Sequence, residues 1–179
     1  IPTKGLDVLL QAWRALLAAH PAAPAGTLVL VGDGSDRGKL LAMVRELGLE
    51  GRVQFAGLQA NPYPWIRRAR LLVLASRTEG LPNVLIEAMA LDCMVVSTDC
   101  PVGPRELLAD GRAGLLVAPD DAQALAEAMW RALSDDTLRS ACLAAARQQA
   151  ENYGIEAGNR RMRELVESVL AQAGEAARQ

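Results

Sequence analysis

The stretch from Leu71 to Ala90 restricts the fold more than any other part of the chain. Leu71-Leu72-Val73-Leu74 is a short apolar run of the length of a buried strand, and a helical pattern follows from Pro82 to Met89. A strand handing over to a helix through so short a turn belongs to a layered α/β arrangement. Pro82 suits the first helical turn, which puts the cap position on Leu81, a residue without a side-chain acceptor. The backbone N–H groups of Asn83, Val84 and Leu85 are then left over at the positive end of a helix, ready for phosphate. Asn83 capping the helix itself would consume one of them. Gly80 lets a ligand approach the backbone closely. Glu79 before the turn and Glu87 in the second helical turn can reach one crevice, and carboxylates accept hydrogen bonds from paired sugar hydroxyls. Either glutamate alone would read as solvated. A glycine, a proline and two acids at one strand-to-helix junction read as a site.

The rest of the chain repeats this alternation. Leu6, Leu9, Leu10, Trp13, Leu16 and Leu17 give an amphipathic helix. Lys4-Gly5 precedes it, and Lys4 is either a phosphate contact or a solvated terminal lysine. Thr27 to Val31 reads as a strand, Gly32-Asp33-Gly34-Ser35 as a turn, and Asp36 to Leu47 as a helix closed by Gly48. Val53-Gln54-Phe55 is the next strand, ending in Ala56-Gly57, and a short helix spans Trp65 to Arg68. After the Leu71–Ala90 stretch come a strand at Cys93–Ser97, a loop at Asp99–Pro104 and a strand at Gly114–Val117. Asp120-Asp121 and Asp135-Asp136 each open a helix. A last helix, over about 155–179, is expected to bury Met162, Leu165, Val166 and Val169. Its exposed Arg160, Arg161 and Arg163 read as a solvated face, with anionic lipid as the other reading.

The fold expected from this order is a Rossmann-like, doubly wound parallel sheet with helices on both faces. Ligands of such sheets bind beyond the carboxyl ends of the strands, so the Gly32, Gly57, Glu79–Asn83 and Asp99–Pro104 loops should share one rim. At 179 residues, residues 1–179 are expected to form a single domain. A net charge of −2 and only one Phe, three Trp and two Tyr argue against a nucleic-acid binder. No apolar run is as long as a membrane span. Cys93, Cys100 and Cys142 have no metal-ligand or redox spacing and suit buried thiols in a reducing cytoplasm. His20, the single histidine, follows a helix and reads as a charge at its carboxyl end rather than as a base. Gly32, Gly34 and Gly38 loosely match a dinucleotide fingerprint, so a nicotinamide-dinucleotide-binding oxidoreductase domain, or a non-catalytic interaction module on the same fold, is the alternative reading. Against the first, the following strand ends without an acid to hold a ribose.

Taken together, the motifs resemble the C-terminal, donor-binding half of a retaining glycosyltransferase of family 4 with the GT-B fold. They are Lys4-Gly5, Val31-Gly32-Asp33-Gly34, Val53 to Gly57, Ser76 with Glu79 to Ala90, Gly103-Pro104-Arg105-Glu106, Asp110-Gly111 and Gly114 to Val117. The two glutamates eight positions apart are the most specific of them. The resemblance implies that Glu87 holds the ribose hydroxyls of a nucleotide sugar and that Glu79 receives hydroxyls of the transferred sugar. It places amides around Gly80, Leu81, Asn83 and Val84, with Lys4, on the diphosphate, making Glu79 and Lys4 the catalytic pair. Gly32, Gly34, Phe55 and Gly57 would line the nucleotide. No cofactor or metal is implied, and the sequence has no Asp-x-Asp pair. The Asp99–Glu106 loop resembles the version in bacterial surface-polysaccharide enzymes that use UDP-hexoses or UDP-N-acetylhexosamines. The family's partner arginine would precede Ile1, and an N-terminal acceptor domain would complete the enzyme, so this part alone is expected to bind donor without turnover. The implied location is the cytoplasm, at the inner face of the cytoplasmic membrane.

Overall fold

The computed structural model describes residues 3–21, 26–154, 156–160, 162–164 and 166–167. Along the chain stand α1 (Leu6–Ala19), β1 (Leu28–Val31), α2 (Arg37–Glu46), β2 (Val53–Gly57), α3 (Tyr63–Arg68) and β3 (Leu71–Leu74). They are followed by α4 (Asn83–Ala90), β4 (Met94–Thr98), α5 (Pro104–Leu107), β5 (Leu115–Val117), α6 (Ala122–Ser134) and α7 (Asp136–Asn152). Every strand pair is parallel, as strand–helix alternation requires. The pairing forms two ladders, β1–β2 and β3–β4–β5, rather than one continuous sheet.

Side-chain alternation along the central ladder explains why helices lie on both faces. Leu71 and Val73 of β3, Met94 and Val96 of β4, and Leu115 and Val117 of β5 share one core with α1, α2 and α6. Leu72 and Leu74, Val95, and Leu116 enter a second core with α3, α4, α5 and α7. All of β4 is buried, which fits a strand with a partner on each edge and helices above and below. Leu28, Leu30, Val53 and Phe55 bring the β1–β2 ladder onto the first of these cores.

The helix ends follow the sequence closely. Asp121 Oδ1 accepts from the Ala124 N–H at 2.8 Å, and Asp135 Oδ1 accepts from the Leu138 N–H at 2.9 Å. His20 terminates α1, its N–H donating to the Leu16 carbonyl, and its ring stacks on Trp130 of α6 at 3.8 Å. It therefore fastens two helices. The three cysteines are free and buried.

Residues 156–160, 162–164 and 166–167 are helical, but Met162 and Val166 of the expected apolar face are not covered. Met162 is 62% exposed and Val166 49%, while Leu165, Val169 and Arg161 lie outside the described residues. Among the described residues of this stretch Ala157 alone is buried, while Met162 and Val166 stay exposed. Among the described residues no helix is long and apolar enough to cross a membrane.

Candidate functional site

Residues 3–7 reach the organising turn through three contacts. Gly5 has φ 59°, and a Cβ there would stand 1.9 Å from the Ala75 carbonyl oxygen, so only glycine permits this approach. The Arg77 N–H donates to the Thr3 carbonyl at 2.9 Å. The Arg77 guanidinium donates to both Asp7 oxygens, at 3.0 and 2.8 Å, and to Asp120 at 2.6 Å. The hydrogen bond from Arg77, against some desolvation, holds the Asp7 carboxyl below the usual carboxylate range. In consequence the Lys4 ammonium meets Glu79 Oε1 at 2.8 Å. Arg77 and Asp7 escape a reading of the sequence alone, because an aspartate in the first turn of a helix ordinarily reads as a partner for the dipole.

Glu79 is the better enclosed member of the pair, its side chain 11% exposed against 61% for Lys4. Ser76, fully buried at the end of β3, donates its hydroxyl to the same oxygen, Oε1, at 2.6 Å. Burial pushes the Glu79 carboxyl up, but the hydrogen bonds from Lys4 and Ser76 and the lysine's charge together outweigh it. The carboxyl ends below its ordinary range and is ionised at neutral pH.

The mouth of α4 differs by one residue from the sequence expectation. Pro82, with ψ 81°, is the cap rather than the first helical residue, and among the described residues no side chain caps the helix, Asn83 included. The Asn83 N–H turns back to the Leu81 carbonyl at 2.9 Å, and the Leu85 N–H takes the Pro82 carbonyl at 2.9 Å. Two of the three amides expected to be free are thus engaged, because the tight turn at Pro82 folds them onto its own carbonyls. The amides of Val84, Gly80 and Leu81 have no protein partner among the described residues. Glu87 is half-buried, one turn beyond Asn83 and Val84 on the same stripe of α4. The loop after β4 closes on this turn. A Cβ on Gly103 (φ 96°) would lie 2.6 Å from Pro82 Cδ and 3.0 Å from the Gly80 carbonyl oxygen.

The other loops form a separate, more open corner. The Gly32 N–H donates to the Gly57 carbonyl at 2.8 Å, joining the ends of β1 and β2. Phe55 is half-buried, and the Arg37 guanidinium lies 5.7 Å from its ring centroid. Gly38 falls inside α2, and the Gly34 N–H is taken by Asp33 Oδ1 at 2.8 Å. A dinucleotide fingerprint would offer that amide to a pyrophosphate, so this loop does not fit one.

Comparison with known proteins fixes the family. Residues 1–135 match the glycosyl transferases group 1. The chain belongs to that family. The chain is 39% identical over 126 residues to the N-acetylgalactosamine-N,N'-diacetylbacillosaminyl-diphospho-undecaprenol 4-alpha-N-acetylgalactosaminyltransferase of Campylobacter jejuni. That match covers 70% of the chain and 34% of the relative. HepE of Anabaena, solved with UDP-glucose, superposes with a TM-score of 0.80 at 27% identity, over 94% of the chain and 46% of HepE. The solved C-terminal domain of the group 1 family protein LpcC from Francisella tularensis gives 0.74 at 28% identity. It is matched over 87% of the chain and 82% of that domain. The chain's fold is therefore that of the C-terminal domain of a GT-B glycosyltransferase. The chain spans 34%, 47% and 41% of the length of three curated relatives.

Proposed function

We propose that this chain is the donor-binding domain of a family 4 retaining glycosyltransferase. It would transfer a hexose or N-acetylhexosamine from a UDP-sugar to a glycan or lipid-linked acceptor in bacterial surface-polysaccharide synthesis. The observation that carries the reading is the pairing of Glu79 with Lys4 at 2.8 Å beside the mouth of α4, whose cap residue makes no side-chain hydrogen bond. In this assignment Glu87 takes the ribose hydroxyls and Glu79 the hydroxyls of the transferred sugar. Lys4 and the amides of Gly80, Leu81 and Val84 face the diphosphate and stabilise the charge that develops as it leaves. Asn83 contributes from the rim through its side chain, its amide being taken. Gly32, Gly34, Phe55 and Gly57 lie along the nucleotide. The positive charge comes from Lys4 and the helix, so no metal or cofactor is part of the assignment.

The relatives support the substrate class. HepE was solved with UDP-glucose, and the Campylobacter enzyme is named for an undecaprenol-linked acceptor. An acceptor domain in the same enzyme would supply the other wall of the reaction cleft, leaving this part to bind donor without turnover. Work on lipid-linked glycan would place the enzyme in the cytoplasm at the inner face of the membrane.

Calorimetric titration with UDP tests the assignment. The unaltered chain should bind, and Glu87→Ala should weaken binding by about tenfold or more, the scale of a lost charge-assisted hydrogen bond. Equal affinity in the two proteins would overturn the role of Glu87.

A further inference from the structure

Three polar residues are buried among the described core positions, Ser76, Ser97 and Thr98, and they stand together at the ends of β3 and β4. A hydroxyl gains nothing by packing at a fully enclosed position, so each must be explained by what it bonds. Ser97 donates to the Thr98 carbonyl. Thr98 donates to the Ser76 carbonyl, which ties the Ser76 backbone to the neighbouring strand. Ser76 donates outward, to Glu79 Oε1 at 2.6 Å. Of the three hydroxyls, two are spent on strand-end carbonyls, and Ser76 alone reaches a side chain, the carboxylate assigned to the sugar.

Among the described residues Glu79 has two donors, and both use Oε1. Oε2 accepts nothing from the described residues. The donors differ in freedom. Lys4 is an exposed, flexible side chain with two further protons, whereas Ser76 is fully enclosed on a strand end. A donor diphosphate competes with Glu79 for the lysine and not for the serine.

The geometry points to Ser76, steadied by Thr98, as the positioning residue that keeps Glu79 aimed at the sugar when Lys4 turns to the diphosphate. This rests on the donor-site reading above and adds to it a division of labour. Lys4 serves the phosphate, and Ser76 preserves recognition of the sugar. Without Ser76, the diphosphate takes Lys4 and Glu79 is left with no donor to aim it, so the loss falls on the sugar and not on the diphosphate.

The test compares affinities for UDP, UDP-glucose and UDP-N-acetylglucosamine in the unaltered chain and in Ser76→Ala, with amide spectra confirming the fold. The unaltered chain should bind one of the two sugars more tightly than UDP. Ser76→Ala should leave UDP affinity unchanged within about twofold and lower the affinity for that sugar nucleotide by about tenfold. A merely structural serine would weaken all three ligands alike. Should Ser76→Ala not fold, Ser76→Cys keeps the volume with a weaker donor and should show the same selective loss in smaller measure. Equal loss for UDP and UDP-sugar in the variant that folds, or no loss, overturns the inference while leaving the donor site intact. Neither sugar nucleotide binding more tightly than UDP in the unaltered chain also overturns it, since Glu79 would then contribute nothing to hold. Absence of any UDP binding overturns the donor reading itself.

Discussion

The two corners of the rim are held in different ways. At the mouth of α4, residues from four parts of the chain lock together, with Gly5 against Ala75, Gly103 against Pro82, and Arg77 bridging Asp7 and Asp120. At the ends of β1 and β2, the loops meet through one backbone hydrogen bond and one exposed cation–π contact, and a Cβ on Gly32, Gly34 or Gly57 would touch nothing. The closed corner carries the groups assigned to sugar and diphosphate, where charge must be met by donors already in place. The open corner is assigned to the base, which a loop can settle around. The more tightly packed corner is thus the one to which the proposal assigns the developing charge.

Substitutions that probe the closed corner should be the most damaging. Gly5→Ala forces a methyl into a backbone carbonyl at a left-handed φ and should cost about 3 kcal/mol or more in urea unfolding. An effect below about 1 kcal/mol would show that the residue 3–7 segment is not clamped. Gly103→Ala pushes on Pro82 and should cost about 2 kcal/mol while also weakening UDP binding, because the helix mouth moves with Pro82.

Asp7→Asn should cost about 1 kcal/mol at neutral pH, since the pair with Arg77 is partly exposed and screened. Its pH dependence has a definite sign. The Asp7 carboxyl is held below its ordinary value, so its stabilising contribution is complete above the ordinary aspartate range and is lost as pH falls through the lowered value. Stability curves of the two proteins should therefore differ at neutral pH and converge in acid. On the open corner, Gly34→Ala should change stability by no more than about 0.5 kcal/mol, because its Cβ meets nothing and its φ is not left-handed. A loss as large as that of Gly103→Ala would erase the distinction between the corners.

Much of this was legible in the chain itself, for identifiable reasons. The strand at Leu71–Leu74 and the caps at Asp121 and Asp135 rest on local pattern, and they stand where the pattern puts them. Glu79, Gly80 and Leu81 stand at the strand-to-helix junction that residue type marks, whereas Lys4, before α1, meets Glu79 only through the fold. The fate of the Asn83 and Leu85 amides was not legible, because it turns on the ψ of Pro82, which residue identity leaves open. Arg77, Asp7 and Gly103 act through contacts between segments far apart in sequence, and no local period reports such contacts. Met162 and Val166 show the converse: an apolar stripe marks a face that can be covered, without saying by what.

The most direct measurement is a residue-by-residue map of backbone amide shifts as UDP is added to the isotopically labelled chain. The account predicts that the largest shifts fall at Gly80, Leu81, Val84 and Glu87, with a second group at Phe55–Gly57. Shifts confined to other surfaces, or none at millimolar UDP, would contradict it.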